Sequence, residues 1–264
     1  MLNYNSVGPA DAPCVALLHG VGTTSRVYRP VVDRLPDLRC ILVDLPGHGQ
    51  SRDVAWVSLE ETAKALGAVV EAAVGDADCH LVGASLGGYV GLTAMSQRPG
   101  RFRSATLTGI HAANMPRPLP MKIMTALMAP FVSRPFFARR TAKMLGATDA
   151  DTQLFVEEAA TVRAAAFRRA LANVIDFAAP MNLEEIETAT LFLAGGREHP
   201  LIRSSLPAFA ERLKAGRAAE VPGLGHGWPL QDPALFAETV RAQVRGAALP
   251  KGLNAVGVRT CPRP

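Results

Sequence analysis

Cys79-His-Leu-Val-Gly-Ala-Ser-Leu-Gly-Gly88 is the stretch of this sequence that decides its fold. An apolar strand pattern ends in a G-x-S-x-G pentapeptide at 83–87, and a helical pattern, Leu86 to Gln97, follows at once. A strand-to-helix turn of this form strains its serine, and the glycines on either side relieve clashes with the neighbouring elements. The pattern predicts an exposed hydroxyl on Ser85, at a helix N-terminus where N–H groups can stabilise an oxyanion.

The same alternation of strand and helix patterns runs outward from this stretch. Helices are predicted at 57–74, 86–97, 206–214 and 233–244, the first with a capping box from Ser58 to Glu61. Strands are predicted at 14–19, 39–44, 79–83, 104–109, 190–194 and 218–221. This order predicts an α/β fold, with a mostly parallel central sheet and helices on both faces.

One stretch breaks the alternation. From residue 111 to 180 there is no good strand pattern, but there are Met- and Phe-containing amphipathic runs separated by prolines. We expect an inserted helical lid there, a core formed by 1–110 and 181–246, and a partly disordered tail at 247–264. The apolar side chains of the lid are expected either to line an apolar substrate pocket or to pack the lid on the core.

The lid also carries nearly all of the chain's excess positive charge. Its basic residues exceed its acidic ones by four: Arg117, Lys122, Arg134, Arg139, Arg140, Lys143, Arg163, Arg168 and Arg169 against Asp149, Asp151, Glu157, Glu158 and Asp176. These charged side chains are expected either to form a solvated outer face or to attract an anionic or carrier-bound substrate.

A serine hydroxyl needs a base to become a nucleophile, so a histidine must reach the same end of the sheet. His226 follows the last predicted strand within Gly223-Leu-Gly-His-Gly-Trp228, where flanking glycines let a loop place it freely. A carboxylate after the preceding strand must then orient the imidazole. Glu198 follows that strand by four residues and is the best candidate, since no aspartate lies nearby.

Two glycine-rich turns follow the first predicted strands. In Leu17-Leu18-His19-Gly20-Val21-Gly22, the N–H of Val21 can form a two-donor oxyanion hole with that of Leu86. In Asp44-Leu-Pro-Gly-His-Gly-Gln-Ser51, Asp44 and His48 are expected to connect loops by hydrogen bonds rather than to react. His19 is expected to hold its own loop in the same way.

Together these motifs resemble the α/β-hydrolase superfamily, in its lid-bearing branch of esterases, haloperoxidase-like enzymes and C–C bond hydrolases. The resemblance covers about residues 2 to 245 and implies a Ser85–His226–Glu198 triad with Val21 and Leu86 as oxyanion donors. Glu198 stands where most of the branch has aspartate. The short sequence before Cys14 implies a first antiparallel strand that is missing or rudimentary. Ser85 excludes the relatives that place an aspartate at the elbow, haloalkane dehalogenases and epoxide hydrolases.

The composition excludes several other classes. With 48% hydrophobic and 19% charged residues, the chain is expected to be globular. No apolar run is long enough to span a bilayer and no secretory signal starts the sequence, which predicts a cytoplasmic protein. The four cysteines lack metal or redox spacing and are expected to be buried thiols. Despite a net charge of +5, no nucleic-acid module appears.

The leading functional hypothesis is hydrolysis of a small-molecule carboxylic ester through an acyl-enzyme, without metal or organic cofactor. A C–C bond hydrolase, thioesterase or acyltransferase with the same triad is the second hypothesis. A non-catalytic ligand-binding protein is the third, although such a protein has no need of all three triad residues. The substrate and the oligomeric state are not determined by these motifs.

Overall fold

The computed structural model describes residues 1–257, except for the side chain of Ala150. Within those residues, eight strands form one sheet in the order β1-β3-β2-β4-β5-β6-β7-β8. The two edge strands, β1 and β8, are antiparallel to their neighbours and the other pairs are parallel. The strands are β1 Tyr4–Val7, β2 Cys14–Leu18, β3 Arg39–Val43, β4 Cys79–Ala84, β5 Ser104–Thr108, β6 Ala189–Gly195, β7 Gly216–Val221 and β8 Asn254–Ala255.

Helices connect the parallel strands. They are α1 Arg29–Val32, α2 Leu59–Val74, α3 Leu86–Gln97, α4 Pro118–Met128, α5 Pro135–Leu145, α6 Asp149–Ala159, α7 Ala164–Ile175, α8 Pro200–Arg212, α9 Trp228–Gln231 and α10 Pro233–Arg245. The helices α4 to α7 all lie between β5 and β6, in the segment 111–180. Helix α2 begins where its capping box predicts, since the Ser58 hydroxyl accepts a hydrogen bond from the Glu61 N–H at 3.2 Å.

The predicted α/β architecture is confirmed, with apolar side chains packed on both sheet faces. One cluster contains Leu18, Leu81 and Phe192 with side chains of α2, α3 and α8, and the other joins alternate positions of the same strands to α1 and α10. Each parallel strand is therefore buried on both sides, which explains why the strands have continuous apolar runs rather than alternating ones.

One expectation about the ends of the chain needs correction. The first antiparallel strand is present, because β1 pairs with β3 from Tyr4↔Val43 to Val7↔Cys40. Within the tail, Asn254 pairs with Glu220 of β7, and the expected partial disorder of 247–264 stays a prediction. Residues 258–264, to which the expectation of disorder also applied, lie outside the described residues.

Helix α8 also begins earlier than its apolar pattern indicated, at Pro200 rather than near Leu206. The ring of His199 accepts a hydrogen bond from the Leu201 N–H at 3.2 Å and so caps the helix, and Pro200 occupies the first turn, where its missing N–H costs nothing. The helix continues through Pro207.

Cys14, Cys40 and Cys79 are free and buried, as predicted, whereas Cys261 lies outside the described residues. None of the helices in residues 1–257 is long and apolar enough to cross a membrane. The cytoplasmic location stays a prediction.

Candidate active site

The site begins at the turn between β4 and α3. Ser85 has φ 52° and ψ −116°, a left-handed conformation that costs a non-glycine residue about 1–3 kcal/mol. Its N–H donates to the Thr108 carbonyl at 2.8 Å, and its carbonyl accepts from the N–H groups of Gly88 and Tyr89 at 2.8 and 3.2 Å. These bonds to a neighbouring strand and to the following helix hold the backbone in the strained geometry.

The glycines of the pentapeptide are required by close packing. A Cβ on Gly83 would lie 2.4 Å from the Gly87 carbonyl oxygen, and a Cβ on Gly87 would lie 2.1 Å from the Leu18 oxygen. Both distances are far below van der Waals contact, so a side chain at either position would push α3 away from β2 and β4. The N–H of Gly87 donates to the His19 carbonyl at 3.0 Å, which ties the elbow to the loop after β2.

Two further candidate residues meet at the same end of the sheet. The Nδ1–H of His226 donates to Oε1 of Glu198, while the other carboxylate oxygen accepts from the Gly195 N–H at 3.0 Å. Glu198 is buried and His226 is partly exposed. A carboxylate on Nδ1 fixes the tautomer in which Nε2 is free to accept a proton.

Gly109 lies against this histidine–glutamate pair. Its φ is +73°, and a Cβ there would lie 2.8 Å from Cε1 of His226 and 3.2 Å from Oε1 of Glu198. Nearby, the indole N–H of Trp228 donates to the Thr108 hydroxyl at 2.7 Å, and that hydroxyl donates to the Leu193 carbonyl at 3.1 Å. The end of β5 is thereby joined to the histidine loop.

The two predicted oxyanion donors lie beside the elbow. Val21 lines the same cavity as Ser85, and a Cβ on its neighbour Gly20 would lie 3.5 Å from the Ser85 Cβ. Among the described residues, no hydrogen bond uses the N–H of Val21 or of Leu86, the first residue of α3. Their role as oxyanion donors stays a prediction.

The loops after β2 and β3 are held by side chains that do not face the cavity. Nε2 of His19 accepts from the Leu45 N–H at 3.0 Å, and Nε2 of His48 accepts from the Gly22 N–H at 3.1 Å. Asp44 accepts from two backbone N–H groups, each at 2.8 Å. Burial lowers the pKa of His19 and lowers that of His48 to about 3, so both rings are neutral acceptors near neutral pH.

Ser85 and His226 open onto one cavity of about 300 Å³. Its other walls come from the core loops and from α5, α6 and α7, and they are mostly apolar: Val27, Tyr28, Val132, Phe137, Met144, Leu145, Phe155, Phe167, Leu171 and Leu230. Among the described residues, no Asp, Glu, Lys or Arg lines it. A group bound there is therefore apolar or uncharged over most of its surface.

Sequence reasoning did not identify Gly109 or the contact between Trp228 and Thr108. A glycine directly after a strand was the only available signal for the first, and the tryptophan next to the histidine motif for the second. Within residues 1–257, no three His, Cys, Asp or Glu side chains cluster in a way that could hold a metal ion.

Comparison with known proteins agrees with this architecture. The model of a family described as "Alpha/beta hydrolase family" matches residues 15–239, from β2 into α10. The chain belongs to the alpha/beta hydrolase family.

Among its relatives are esterases. A pimeloyl-[acyl-carrier protein] methyl ester esterase of Neisseria meningitidis is 27% identical over 266 residues, covering 94% of this chain and 83% of that protein. One of the same name from Methylococcus capsulatus is 44% identical over 96 residues, which are 36% of each chain. Another match, to a protein of Haemophilus influenzae, spans only 32% of that protein's length.

Solved structures share the fold across nearly the whole chain. An esterase from Exiguobacterium antarcticum has a TM-score of 0.81 at 18% identity, covering 92% of this chain and 95% of that one. The enol-lactonase from Burkholderia xenovorans LB400 has a TM-score of 0.76 at 17% identity, covering 92% and 96%. At these identities the likeness concerns the fold.

Proposed function

We propose that this alpha/beta hydrolase is a serine esterase, with Ser85 as nucleophile, His226 as general base and Glu198 as the carboxylate that orients the base. The observation that carries the proposal is the shared cavity: a serine in a strained strand-to-helix turn opens onto it together with a histidine whose other nitrogen is bonded to a buried carboxylate. A histidine oriented by a carboxylate and sharing a cavity with a serine supports activation of that hydroxyl for acyl chemistry.

In the proposed reaction, Nε2 of His226 takes the Ser85 proton as the hydroxyl oxygen attacks the ester carbonyl. The N–H groups of Val21 and Leu86 donate to the oxygen that becomes negative, and the position of Leu86 at the start of α3 adds the favourable end of a helix dipole. His226 then protonates the leaving alcohol. Water enters, loses a proton to the same ring, and releases the acid from Ser85. Each step uses groups of this chain and needs no cofactor.

The cavity supports a neutral, apolar acyl group as substrate. Its uncharged walls would leave a carboxylate or phosphate of the substrate without a partner, so an anionic group would have to remain outside. We propose that segment 111–180 acts as the lid, because α5, α6 and α7 supply much of the cavity wall and the core supplies the reactive groups.

The uncharged walls also weigh against the alternative of C–C bond hydrolysis of dienoic diketo acids, whose carboxylates require cations. Ester cleavage is the chemistry named for the relatives in Neisseria and Methylococcus, which supports the leading hypothesis. A thioesterase or acyltransferase would use the same groups and differ in leaving group or acceptor. A non-catalytic ligand-binding protein would bind without turnover.

The test is hydrolysis of p-nitrophenyl acetate, butyrate and octanoate by the protein, its Ser85→Ala variant and a control, Ser204→Ala, on the exposed side of α8. We expect turnover by the protein and the control and a loss of at least about a thousandfold in Ser85→Ala. Retained turnover in Ser85→Ala would refute the assigned nucleophile. Turnover of thioesters but not oxygen esters would select the thioesterase hypothesis. Saturable binding without turnover would select the hypothesis of a non-catalytic ligand-binding protein.

A further inference from the structure

The large apolar side chains of helix α4 are exposed rather than packed against the protein. None of its residues is buried. Leu119, Ile123 and Leu127, spaced i, i+4 and i+8, share one side of the helix, and the first and last are 66% and 69% exposed. The small side chains of Thr125 and Ala126 lie toward α7 instead.

Helix α5 continues this pattern and adds positive charge. Its spacing places Phe136, Arg139, Arg140, Lys143 and Met144 on one outward side. Phe136 is 79% exposed and Met144 is 71% exposed. The opposite side carries the small buried residues that pack against the protein.

All charged side chains between residues 112 and 148 are positive. Residues 112–148 contain six basic residues and no aspartate or glutamate: Arg117, Lys122, Arg134, Arg139, Arg140 and Lys143. Lys122 pairs with Asp176 at 2.5 Å. In the part of the chain that the structure describes, the other five take part in no ion pair.

We propose that α4 and α5 dock the protein on an anionic lipid surface through their exposed sides, here together called the basic apolar face. A helix with exposed large apolar residues beside Arg and Lys can bury the former at the boundary of headgroups and acyl chains while the latter meet lipid phosphates. The region's unpaired cations and absent carboxylates match an anionic surface.

The same charges disfavour a second copy of this chain as the occupant. A symmetric dimer through the basic apolar face would bring Arg139, Arg140 and Lys143 toward the same three residues of the other copy, with no carboxylate of residues 112–148 between them. An acidic protein would satisfy the cations, but protruding leucine and phenylalanine side chains would need matching pockets on it. A lipid surface deforms around such side chains and needs no pockets.

Docking in this way would bring the cavity near the lipid. Met144 belongs to the basic apolar face and also lines the cavity, so the two adjoin at α5. An apolar ester could then pass from the bilayer to the cavity without crossing water. The docking itself does not depend on the proposed esterase activity, and its test measures binding alone.

The test is co-sedimentation of the whole protein with phosphatidylcholine vesicles and with vesicles that also contain phosphatidylglycerol, at low and high salt. Two double variants divide the contributions: Ile123→Ser with Leu127→Ser removes apolar side chains, and Arg139→Glu with Arg140→Glu reverses charge. Matched controls alter exposed residues elsewhere: Val57→Ser with Met181→Ser, and Arg29→Glu with Arg52→Glu.

We expect binding to the anionic vesicles only, weaker at high salt, and reduced by at least about tenfold in each double variant but not in the controls. Circular dichroism checks that every variant is folded. Absence of binding to anionic vesicles, or equal binding by variants and controls, overturns the proposal. A dimer in light scattering that Ile123→Ser with Leu127→Ser dissociates also overturns it, as does capture by an acidic protein without vesicle binding.

Discussion

Gly109 illustrates how much a single residue position can control at this site. With φ at +73° and His226 within 2.8 Å of a would-be Cβ, the position combines an unusual backbone conformation with the absence of space. Gly100 shares the first property, with φ at +83°, but has nothing within 4 Å of a would-be Cβ. Substitutions at the two positions therefore distinguish the effect of backbone strain from the effect of displacing His226.

We predict that Gly109→Ala lowers kcat for p-nitrophenyl butyrate by at least about tenfold, because the methyl group displaces the imidazole by more than catalysis tolerates. Gly100→Ala should cost about 1 kcal/mol of stability from the left-handed backbone and leave kcat unchanged. Steady-state kinetics and urea denaturation of both variants measure this. Equal kcat in the two variants would show that the contact at Gly109 has no catalytic consequence.

Glu198 provides the second prediction at this scale. Glu198→Gln keeps the shape of the side chain but can donate to Nδ1, which favours the wrong imidazole tautomer, so kcat should fall by about a hundredfold to ten-thousandfold with KM nearly unchanged. Glu187→Gln, which removes an exposed carboxylate paired with Lys214, is the control and should retain full activity. A loss below about threefold in Glu198→Gln would mean that another group orients His226.

At the scale of the element, α2 begins at a side-chain cap. The Ser58 hydroxyl satisfies one of the N–H groups that the first turn leaves without a helical partner. Helix α2 packs on α3, which begins at the elbow, but its own N-terminus lies outside the cavity lining. Loss of the cap should therefore change stability without changing chemistry.

We predict that Ser58→Ala lowers the free energy of unfolding by about 1 kcal/mol while kcat and KM stay the same. Ser204→Ala, within α8, removes a hydroxyl that caps no helix and should change stability by less than about 0.5 kcal/mol. Urea denaturation of both variants provides the comparison. A Ser58→Ala protein as stable as the Ser204→Ala protein would show that the capping bond makes no net contribution.

At the scale of the whole molecule, the cavity is built by distant parts of the chain. Thr141 of α5 and Ser85 of the core line the same space. Filling it should affect long acyl groups more than short ones, since only long groups need the full volume.

We predict that Thr141→Phe lowers kcat/KM for the octanoate ester at least about tenfold more than for the acetate ester. Thr125→Phe, on α4 and outside the cavity lining, should leave the ratio of the two unchanged. A ratio that is the same in Thr141→Phe and in the unaltered protein would place the acyl group elsewhere.

Stability should also depend on pH through the buried histidines of the β2 and β3 loops. The folded pKa of His48 is held near 3 by burial, whereas an unfolded histidine titrates near 6.5. Between about pH 6.5 and 3 the unfolded chain binds more protons, so the free energy of unfolding falls as pH is lowered. His19 also lowers the free energy of unfolding as the pH falls, because burial lowers its pKa too.

We predict that this fall is about 1.4 kcal/mol per pH unit for His48 alone once pH is well below 6.5. Urea denaturation at several pH values measures it. His48→Gln should reduce the slope by that amount, and the control Ser204→Ala, which removes no titratable group, should retain the slope of the unaltered protein. An identical slope in His48→Gln would exclude His48 as its source.

The sequence by itself determined the parts that depend on local rules and chain order. The strand, elbow and helix around Ser85 follow from backbone sterics within ten residues, and the central parallel strands follow from their apolar runs. The meeting of Glu198 with His226 could be predicted because each follows a predicted strand, and the carboxyl ends of parallel strands meet at one edge of a sheet.

Only the tertiary structure decided what depends on distant segments coming together. It brought Gly109 against His226, paired β1 with β3, and left charged groups out of the described cavity lining. It also turned the leucines of α4 outward, although their spacing is equally typical of a packed helix. Periodicity shows that a helix has an apolar side, but the direction in which that side points depends on the packing of the rest of the chain.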